Sequence, residues 1–242
     1  MELEPGKIWK YLLNVVLPRA CPHCAADLPY LEPGPLCPAC AARLEPLPEL
    51  HCKRCGLPLT AGGAACYDCR GAGPRALDAA RSALVFNPQL RSLLHAFKYG
   101  GREDLAEFFA AEMAAAMDRF GVFAGHDFIL DVPLHPSKRA ARGYNQAELL
   151  ARGLARRRNL FYLAGAARRV KNTPSQTSLS KTERRRNMTG AFKAVKPELV
   201  NGRRLLLIDD VATTLATLEA LAAELKAAGA KSVTAYTLAR EP

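Results

Sequence analysis

LLLIDDVATTLATLEALA, residues 205–222, decides the fold of this 242-residue chain. Four apolar residues lead into Asp209 and Asp210, three threonines follow, and leucines and alanines then recur at helical spacing. This pattern predicts a buried strand that ends in two carboxylates, then a turn, and then the start of a helix. Free backbone N–H groups at such a helix start, together with the helix dipole, favour an anion.

The side chains of this turn predict a site for a ribose 5-phosphate. Thr213, Thr214 and Thr217 carry hydroxyls that suit phosphate oxygens. Asp209 and Asp210 would repel a phosphate, and paired carboxylates suit sugar hydroxyls or a hydrated magnesium ion instead. The alternative is an ordinary helix N-cap formed by chance. Such a cap needs only one Asp or Thr, whereas this turn has five.

Outside this stretch, apolar runs of strand length alternate with helical patterns. Strands are predicted over residues 81–86, 127–134, 203–210 and 232–240, and helices over 90–97, 103–120, 145–157 and 218–225. Such alternation predicts an α/β fold with a mostly parallel sheet flanked by helices. Ligands of such sheets bind at the carboxyl ends of the strands, which is where Asp209 and Asp210 are expected.

All eight cysteines lie before residue 70, in four CxxC pairs. Two such pairs bring four thiolates to one ion, which is the usual ligand set of a structural zinc. Disulfides, iron–sulfur ligation and interleaved pairing are the alternatives, and His23 and His51 are predicted to be bystanders. Consecutive pairing predicts one site from Cys21, Cys24, Cys37 and Cys40, and a second from Cys52, Cys55, Cys66 and Cys69.

The segment around the cysteines is rich in Pro, Gly and Ala. It builds little core of its own, so the metals are predicted to hold it folded. The composition changes at residues 71–78, which predicts a cysteine-rich domain at 1–72 and an α/β domain at 73–242. The sequence contains neither an apolar run of the roughly 20 residues that cross a bilayer nor a secretory signal. A cytoplasmic protein with no membrane insertion is therefore predicted.

The net charge of +11 comes from one segment. Residues 138–186 contain 14 Lys or Arg and 2 Asp or Glu, a net of +12, so the remaining residues sum to −1. This basic segment is expected to attract phosphates, either on a small molecule or on a nucleic acid. A solubilising surface is the alternative, although such surfaces usually mix both signs of charge.

Three blocks and the cysteine pairs occur in the order found in a known family. Residues 205–240, from LLLIDDVATTLAT to TAYTLAR, resemble the phosphoribosyl pyrophosphate (PRPP) signature of type I phosphoribosyltransferases. Residues 131–155, DVPLHPSKRAARGYNQAELLARGLA, and 172–192, NTPSQTSLSKTERRRNMTGAF, resemble two blocks of the ComF family of competence-associated proteins. The cysteine pairs resemble the amino-terminal double zinc ribbon of that family. The resemblance covers almost the whole chain and implies a type I phosphoribosyltransferase-like domain behind a small ribbon.

The resemblance also implies a role for each block. Asp209 and Asp210 would hold the ribose hydroxyls, and the 5-phosphate loop would comprise Thr213, Thr214, Leu215, Ala216 and Thr217. The pyrophosphate loop would hold Ser137, Lys138 and Arg139, and the cleft would be lined by Arg142, Gly143, Tyr144, Asn145 and Gln146. Residues 173–187 would form a mobile flap that carries Gln176, Ser178, Arg184 and Asn187. Lys98 and Tyr99 would close the far side.

Leu215 stands where the signature normally has glycine. Glycine allows positive φ and a close approach of the backbone to a phosphate. Leucine costs about 1 kcal/mol in a left-handed conformation. Three accounts are open: ordinary dihedral angles with Leu215 in the core, phosphate binding with poor catalysis, or loss of PRPP binding. Weakened binding is the account that we favour.

Three hypotheses for the function follow. The first is a phosphoribosyltransferase that binds PRPP with magnesium and acts on an unknown acceptor, with Lys138 and Arg139 stabilising the leaving pyrophosphate. The second is a non-catalytic module that binds single-stranded DNA during DNA uptake in natural transformation, with a competence helicase as partner. Its support from stacking is thin, because Tyr144, Phe161 and Tyr162 are the aromatic residues of the basic segment. The third is a scaffold whose zinc ribbons dock a partner.

Overall fold

A computed structural model describes residues 19–28, 34–71, 73, 75–173 and 181–241. The cysteine-rich part contains short elements: β1 (Arg19–Ala20), β2 (Asp27–Leu28), α1 (Pro38–Ala41) and α2 (Tyr67–Arg70). Helices α1 and α2 each begin directly after a cysteine, Cys37 and Cys66 respectively. One helical turn therefore brings both thiols of a CxxC pair to the same point.

The chain from residue 75 onward alternates strand and helix. The elements are β3 (Ala79–Val85), α3 (Pro88–Tyr99), α4 (Leu105–Met117), a 3-10 turn (Gly121–Phe123), β4 (Phe128–Asp131), α5 (Pro136–Arg142), α6 (Gln146–Arg158), β5 (Ala167–Arg169), α7 (Lys181–Met188), β6 (Phe192–Ala194), α8 (Pro197–Val200), β7 (Arg204–Ala212), α9 (Ala216–Ala227) and β8 (Ser232–Arg240). The four predicted strands correspond to β3, β4, β7 and β8, so the predicted α/β fold is confirmed.

Four strands form one parallel sheet in the order β3-β8-β7-β4. The central strands β7 and β8 are buried on both faces, which explains their nearly continuous apolar runs. Alternate side chains divide the core in two. Leu206 and Tyr236 belong to the half that contains α3, α4 and α6. Leu205 and Val233 belong to the half that contains α9 and the second group of cysteines.

The cysteine-rich part covers the edge strand β3. The N–H of Leu47 donates to the carbonyl of Ala83 (3.0 Å), and the N–H of Ala80 donates to the carbonyl of Arg54 (2.9 Å). A Cβ atom at Gly56 would lie 2.8 Å from the carbonyl oxygen of Ala80, so the two backbones approach as closely as glycine allows. An uncovered edge strand invites pairing with other chains, and these contacts remove that edge.

The structure differs from the predicted elements in three places. Ser137, Lys138 and Arg139, predicted to lie in a loop, lie on α5, because Pro136 starts a helix that the side chain of His135 caps. The carboxyl half of the predicted flap is helix α7. Strands β5 and β6 form a separate antiparallel pair. Three-residue strands are too short to show a periodic pattern.

Of the helices in the described ranges, none combines the length and the apolar composition that a membrane crossing requires.

Candidate functional site

A cleft of about 570 Å³ opens at the carboxyl edge of the parallel sheet. One wall is the loop from β7 to α9, residues 212–217, which we call the phosphate loop. The opposite wall comes from α3, from strand β5 and from the segment between β4 and α6. Asp209 and Asp210 lie between the two walls at the end of β7. The fold thus brings the predicted carboxylates and the predicted phosphate loop to one opening.

The phosphate loop turns sharply at Leu215, which has φ 62° and ψ 5°. This conformation is left-handed, so the ordinary dihedral angles of the first account are wrong, whereas its placement of the Leu215 side chain in the core is correct. A leucine held this way costs about 1–2 kcal/mol. Thr213 and Thr217 line the cleft. Thr214 instead uses its hydroxyl oxygen to accept a hydrogen bond from the N–H of Ala216 (3.4 Å).

A cation from α3 holds one of the two carboxylates. Lys98 Nζ lies 2.8 Å from Oδ2 of Asp210. Burial alone would lower the pKa of Lys98, but the carboxylates of Asp210 and Asp209 outweigh it and raise that pKa. For Asp209, burial and the neighbouring charge of Asp210 raise the pKa from an ordinary 3.8 to about 7. One carboxylate is therefore paired, while the other titrates near neutral pH.

Cations gather on the opposite wall of the cleft and in a recess beside it. Arg142 and Arg169 line the cleft, and Lys138 lies with Arg142 in an adjoining recess. Burial and the charges of Arg169 and Arg142 lower the pKa of Lys138, so the three cations repel one another. Two of these cations donate hydrogen bonds to neutral groups. Lys138 Nζ donates to the carbonyl of Thr173 (2.8 Å), and Arg142 donates to the side chain of Gln146. Such a cluster suits a multiply charged anion.

Arg169 was not predicted from the sequence. It lies on β5, outside every predicted strand and helix, and only the fold carries it to the cleft. Its Nε atom is buried and has no hydrogen-bond partner among the residues that the structure describes. Its membership of the basic segment is the one sequence signal that points to it.

A buried network fixes the wall between β4 and α6. Asn145 and Gln146 line the cleft, as predicted. Asn145 Nδ2 donates to Oδ2 of Asp131 (2.7 Å), and the hydroxyl of Tyr162 donates to Oδ1 of Asp131 (2.7 Å). Burial raises the pKa of Asp131, and these hydrogen bonds satisfy its oxygens. Asp131 orients Asn145 from beneath, a role that the sequence did not indicate.

Other predicted residues lie beside the main cleft or support it. Tyr144 is buried and its hydroxyl donates to the carbonyl of Phe97, so it braces α3 instead of lining the cleft. Gly143 ends α5 with φ 88°, a conformation that favours glycine. The exposed ring of Tyr99 lies under the guanidinium of Arg142, 5.1 Å from its centroid.

The remaining predicted residues of the pyrophosphate loop and the flap are not placed in the cleft. Arg139 forms an ion pair with Glu148 (2.8 Å), and Ser137 Oγ hydrogen-bonds to His135 (2.8 Å). Asn187 lies on α7, and its amide nitrogen is buried without a partner in the described ranges. Gln176, Ser178 and the side chain of Arg184 lie outside the described residues.

The eight cysteines form the two predicted groups of four, Cys21, Cys24, Cys37 and Cys40, and Cys52, Cys55, Cys66 and Cys69. Within each group the sulfur atoms all lie within 4.8 Å of one another. Consecutive CxxC pairs share each group, so the interleaved alternative is wrong, and the cysteines form no disulfides. Four sulfur ligands with this spacing fit one structural zinc in each group.

The two histidines near the cysteines bond to protein groups outside both clusters. His23 Nδ1 lies 2.9 Å from Ser92 Oγ, and His51 Nδ1 lies 2.8 Å from the carbonyl oxygen of Pro48. Neither histidine belongs to either group of sulfur ligands. These hydrogen bonds are consistent with the prediction that both histidines are bystanders.

Much of the charge of the basic segment is paired with carboxylates. Its ion pairs use Glu107, Asp118 and Glu148 as acceptors. The paired residues are Arg139, Arg152, Arg156, Arg157 and Arg158. The cations at the cleft, by contrast, bond to neutral groups or lie close to Asp209 and Asp210.

Two domain families match this chain. Residues 12–70 match the double zinc ribbon domain, and residues 140–242 match the phosphoribosyl transferase domain. The ribbon match supports one structural zinc in each group of cysteines.

Three curated relatives are similar over most of their length. Competence protein F of Haemophilus influenzae is 30% identical over 224 residues, which cover 91% of this chain and 96% of that protein. DNA utilization protein YhgH of Escherichia coli O157:H7 is 32% identical over 235 residues, 93% of this chain and 99% of that protein. Competence protein ComFC of Bacillus subtilis is 30% identical over 214 residues, 85% of this chain and 84% of that protein.

Proposed function

The chain belongs to the ComF family of competence-associated proteins, and we propose that its cleft binds PRPP, or another ribose 5-phosphate, together with magnesium. The cell would use this site in the handling of DNA during natural transformation. The names of the relatives, which refer to competence and to DNA utilization, support the cellular setting. The chemistry of the cleft supports the ligand.

The observation that carries the proposal is that paired carboxylates, a helix start and clustered cations surround one cleft. Asp209 and Asp210 lie at the strand end, a helix begins at Ala216, and the cations Arg142 and Arg169 lie on the far wall. A ribose phosphate that also carries a pyrophosphate needs these three environments in this arrangement. The diol suits carboxylates, the 5-phosphate suits a helix start with hydroxyls, and the pyrophosphate suits clustered cations.

Each group then has a defined part in binding. Asp210 exchanges its ion pair with Lys98 for hydrogen bonds from the ribose hydroxyls. Thr213 and Thr217 donate to the 5-phosphate, together with the backbone N–H groups at the start of α9. Arg142 and Lys138 neutralise the pyrophosphate. If an acceptor attacks the sugar, the same cations stabilise the leaving pyrophosphate without rearrangement.

Calorimetric titration of PRPP with magnesium into the protein tests this proposal. We expect the wild type to bind PRPP and Asp210→Asn to lose this binding, since the amide has no negative charge and replaces one of the two acceptor oxygens with an NH2 donor. Asp118→Asn is the matched control, because Asp118 is an exposed carboxylate that pairs with Arg158 on another face. A wild type that binds no PRPP would overturn the proposal. Binding that is unchanged in Asp210→Asn would overturn the role of this carboxylate.

Single-stranded DNA is the alternative ligand of the cleft and the basic segment. The ion pairs of five arginines in that segment reduce its support, since they leave fewer cations for an extended row of phosphates. The two ligands differ in their dependence on salt. Binding to an oligonucleotide should weaken steeply with salt, by nearly one unit of log–log slope for each phosphate contact. Binding of PRPP should require magnesium and Asp210.

A further inference from the structure

The left-handed conformation of Leu215 demands a compensating interaction. A residue other than glycine keeps such a conformation only where its surroundings enforce it. The Leu215 side chain is 4% exposed, so it is buried although it belongs to a loop at the cleft. Its surroundings therefore decide why a leucine occupies this position.

The side chain of Leu215 is buried beside the second zinc ribbon. It belongs to the same buried cluster as Cys55, Cys66 and Cys69. With these cysteines and Leu57 of the ribbon it lines a small cavity of about 100 Å³. The turn between β7 and α9 therefore borders the cleft on one side and the ribbon on the other.

The second ribbon is itself fixed to the sheet. Its backbone accepts two hydrogen bonds from β3: the N–H of Ala80 donates to the carbonyl of Arg54 (2.9 Å), and Arg81 Nη1 donates to the carbonyl of Lys53 (2.9 Å). Gly56 is packed against β3 without room for a Cβ atom. The ribbon thus gives the phosphate loop a rigid base.

Arg240 holds the same loop from β8. Its Nη1 atom donates to the carbonyl oxygens of Ala212 (2.8 Å) and Thr213, and its guanidinium is buried beside the cavity that Leu215 lines. Backbone hydrogen bonds of this kind fix the entry to the turn. Within the turn itself, the long hydrogen bond from the N–H of Ala216 to the Thr214 hydroxyl (3.4 Å) is supplemented by the burial of the Leu215 side chain.

We infer that Leu215 is a positioning residue that couples the second zinc ribbon to the phosphate loop, so that ribbon packing sets the shape of the ligand site. The loop gains a fixed left-handed turn from a side chain that glycine cannot provide. This inference rests on the proposed function where it concerns affinity for PRPP. It does not depend on that function where it concerns the shape and mobility of the loop.

The first ribbon provides a matched comparison. Cys21 and Cys40 belong to the other half of the core, with Leu84 of β3 and Leu90 of α3. Leu36, which is 4% exposed, is a buried leucine of that ribbon. Leu57 is only partly buried, so truncation of Leu36 is the more severe change in packing, at a ribbon whose core includes α3 instead of the loop.

The test is a double-mutant cycle with Leu57→Ala, Leu215→Gly and the double variant. Leu36→Ala is the control at the first ribbon, and Leu215→Met is the conservative variant. Zinc content is measured for each protein, so that loss of metal is distinguished from loss of packing. Two quantities are then measured. Amide hydrogen exchange of residues 212–217 is measured without ligand, and the Kd for PRPP with magnesium is measured by calorimetry.

We expect Leu57→Ala to accelerate exchange in the phosphate loop and to weaken PRPP binding about tenfold, a usual size for coupling between sites. In the Leu215→Gly background the same truncation should change Kd by less than about twofold, because the coupling side chain is gone. Leu36→Ala should leave loop exchange and Kd at their wild-type values. Leu215→Met, which conserves volume, should retain both.

Two results would overturn the inference. The first is loop exchange that Leu57→Ala does not alter. The second is an equal effect of Leu57→Ala in the leucine and glycine backgrounds, since the coupling would then not pass through residue 215. If the wild type binds no PRPP, the proposed function fails while the exchange cycle still decides the inference.

Discussion

Asp209 lies in an unfavourable electrostatic environment at the end of β7. It is adjacent to Asp210, whose N–H donates to its Oδ1 atom (2.9 Å). Lys98 forms its ion pair with Asp210 and not with Asp209. Burial and the charge of Asp210 consequently raise the pKa of Asp209 to about 7.

The raised pKa of Asp209 predicts how stability depends on pH. Between pH 4 and 7 the folded protein binds more protons at this group than the unfolded chain, so the free energy of unfolding falls as pH rises. Asp209→Asn removes the titration. We expect the variant to be more stable than the wild type at pH 8, by on the order of 1–3 kcal/mol, and to match it near pH 4. Urea denaturation of the ligand-free proteins across this range measures the difference.

A contrasting carboxylate provides the control for the sign of this effect. The guanidinium of Arg102 holds the pKa of Asp104 below its usual range. The stability that Asp104 contributes is present above that range and is lost as pH falls, so Asp104→Asn should be less stable than the wild type at pH 8. A stability difference for Asp209→Asn that stays constant from pH 4 to pH 8 would contradict the assignment.

The sequence predicts those site residues that lie close together along the chain. Asp209, Asp210 and the threonines end one strand and begin one helix, so their proximity follows from local geometry alone. Arg169 reaches the cleft from β5, and Arg240 reaches the phosphate loop from β8. Their positions depend on tertiary packing, which no local pattern encodes. The sequence marks Leu215 as unusual, whereas only the structure identifies what its side chain contacts.

Among the secondary-structure elements, α4 and α6 show the closest helix packing at a glycine. A Cβ atom at Gly153 of α6 would lie 2.7 Å from Cβ of Ala110 on α4. Small residues at both positions let the two helices pack at short range. Helix α6 carries Gln146 into the cleft at its first residue, so this contact also positions one wall of the site.

Gly153→Ala is therefore expected to destabilise the protein even though alanine favours helices. Overpacking in a close-packed interface typically costs 1–3 kcal/mol, whereas the gain in helix propensity is about 1 kcal/mol. We expect a net loss of up to about 2 kcal/mol in the free energy of unfolding, measured by urea denaturation. In an Ala110→Gly background the loss should disappear, because the clashing methyl is gone. An equal loss in both backgrounds would show that a methyl group at residue 153 does not clash with the methyl group of Ala110.

Long elements were predictable and short ones were not, for the same physical reason. The strand pattern at 203–210 and the helix pattern at 145–157 each repeat often enough to define a buried face, and β7 and α6 confirm them. Helix α5 has seven residues and β5 has three, so neither shows a full period. Helix α5 depends on Pro136 at its start, and β5 depends on its pairing with β6.

At the scale of the whole molecule, the two zinc ribbons and the sheet share their cores. Cys21 and Cys40 of the first group are buried with Leu84 and Leu90, and all four cysteines of the second group are buried with Leu205 and Leu215. Packing against the ribbons therefore helps to stabilise the sheet, and packing against the sheet helps to stabilise the ribbons. The domain boundary between residues 72 and 73 stays a prediction. Side chains on the two sides of it belong to the same buried clusters.

Metal removal tests this dependence. A strong chelator should release about two zinc ions per chain, because each group of four cysteines fits one ion. Residues 20–70 should then lose their protection from amide hydrogen exchange, since this part builds little core without metal. Protection should also fall at Ala80 of β3, whose N–H donates to the ribbon, while the centre of β7 retains it. Addition of zinc should restore both regions. Release of one zinc, or of iron, would contradict the two zinc sites, and unchanged exchange at Ala80 would contradict their link to the sheet.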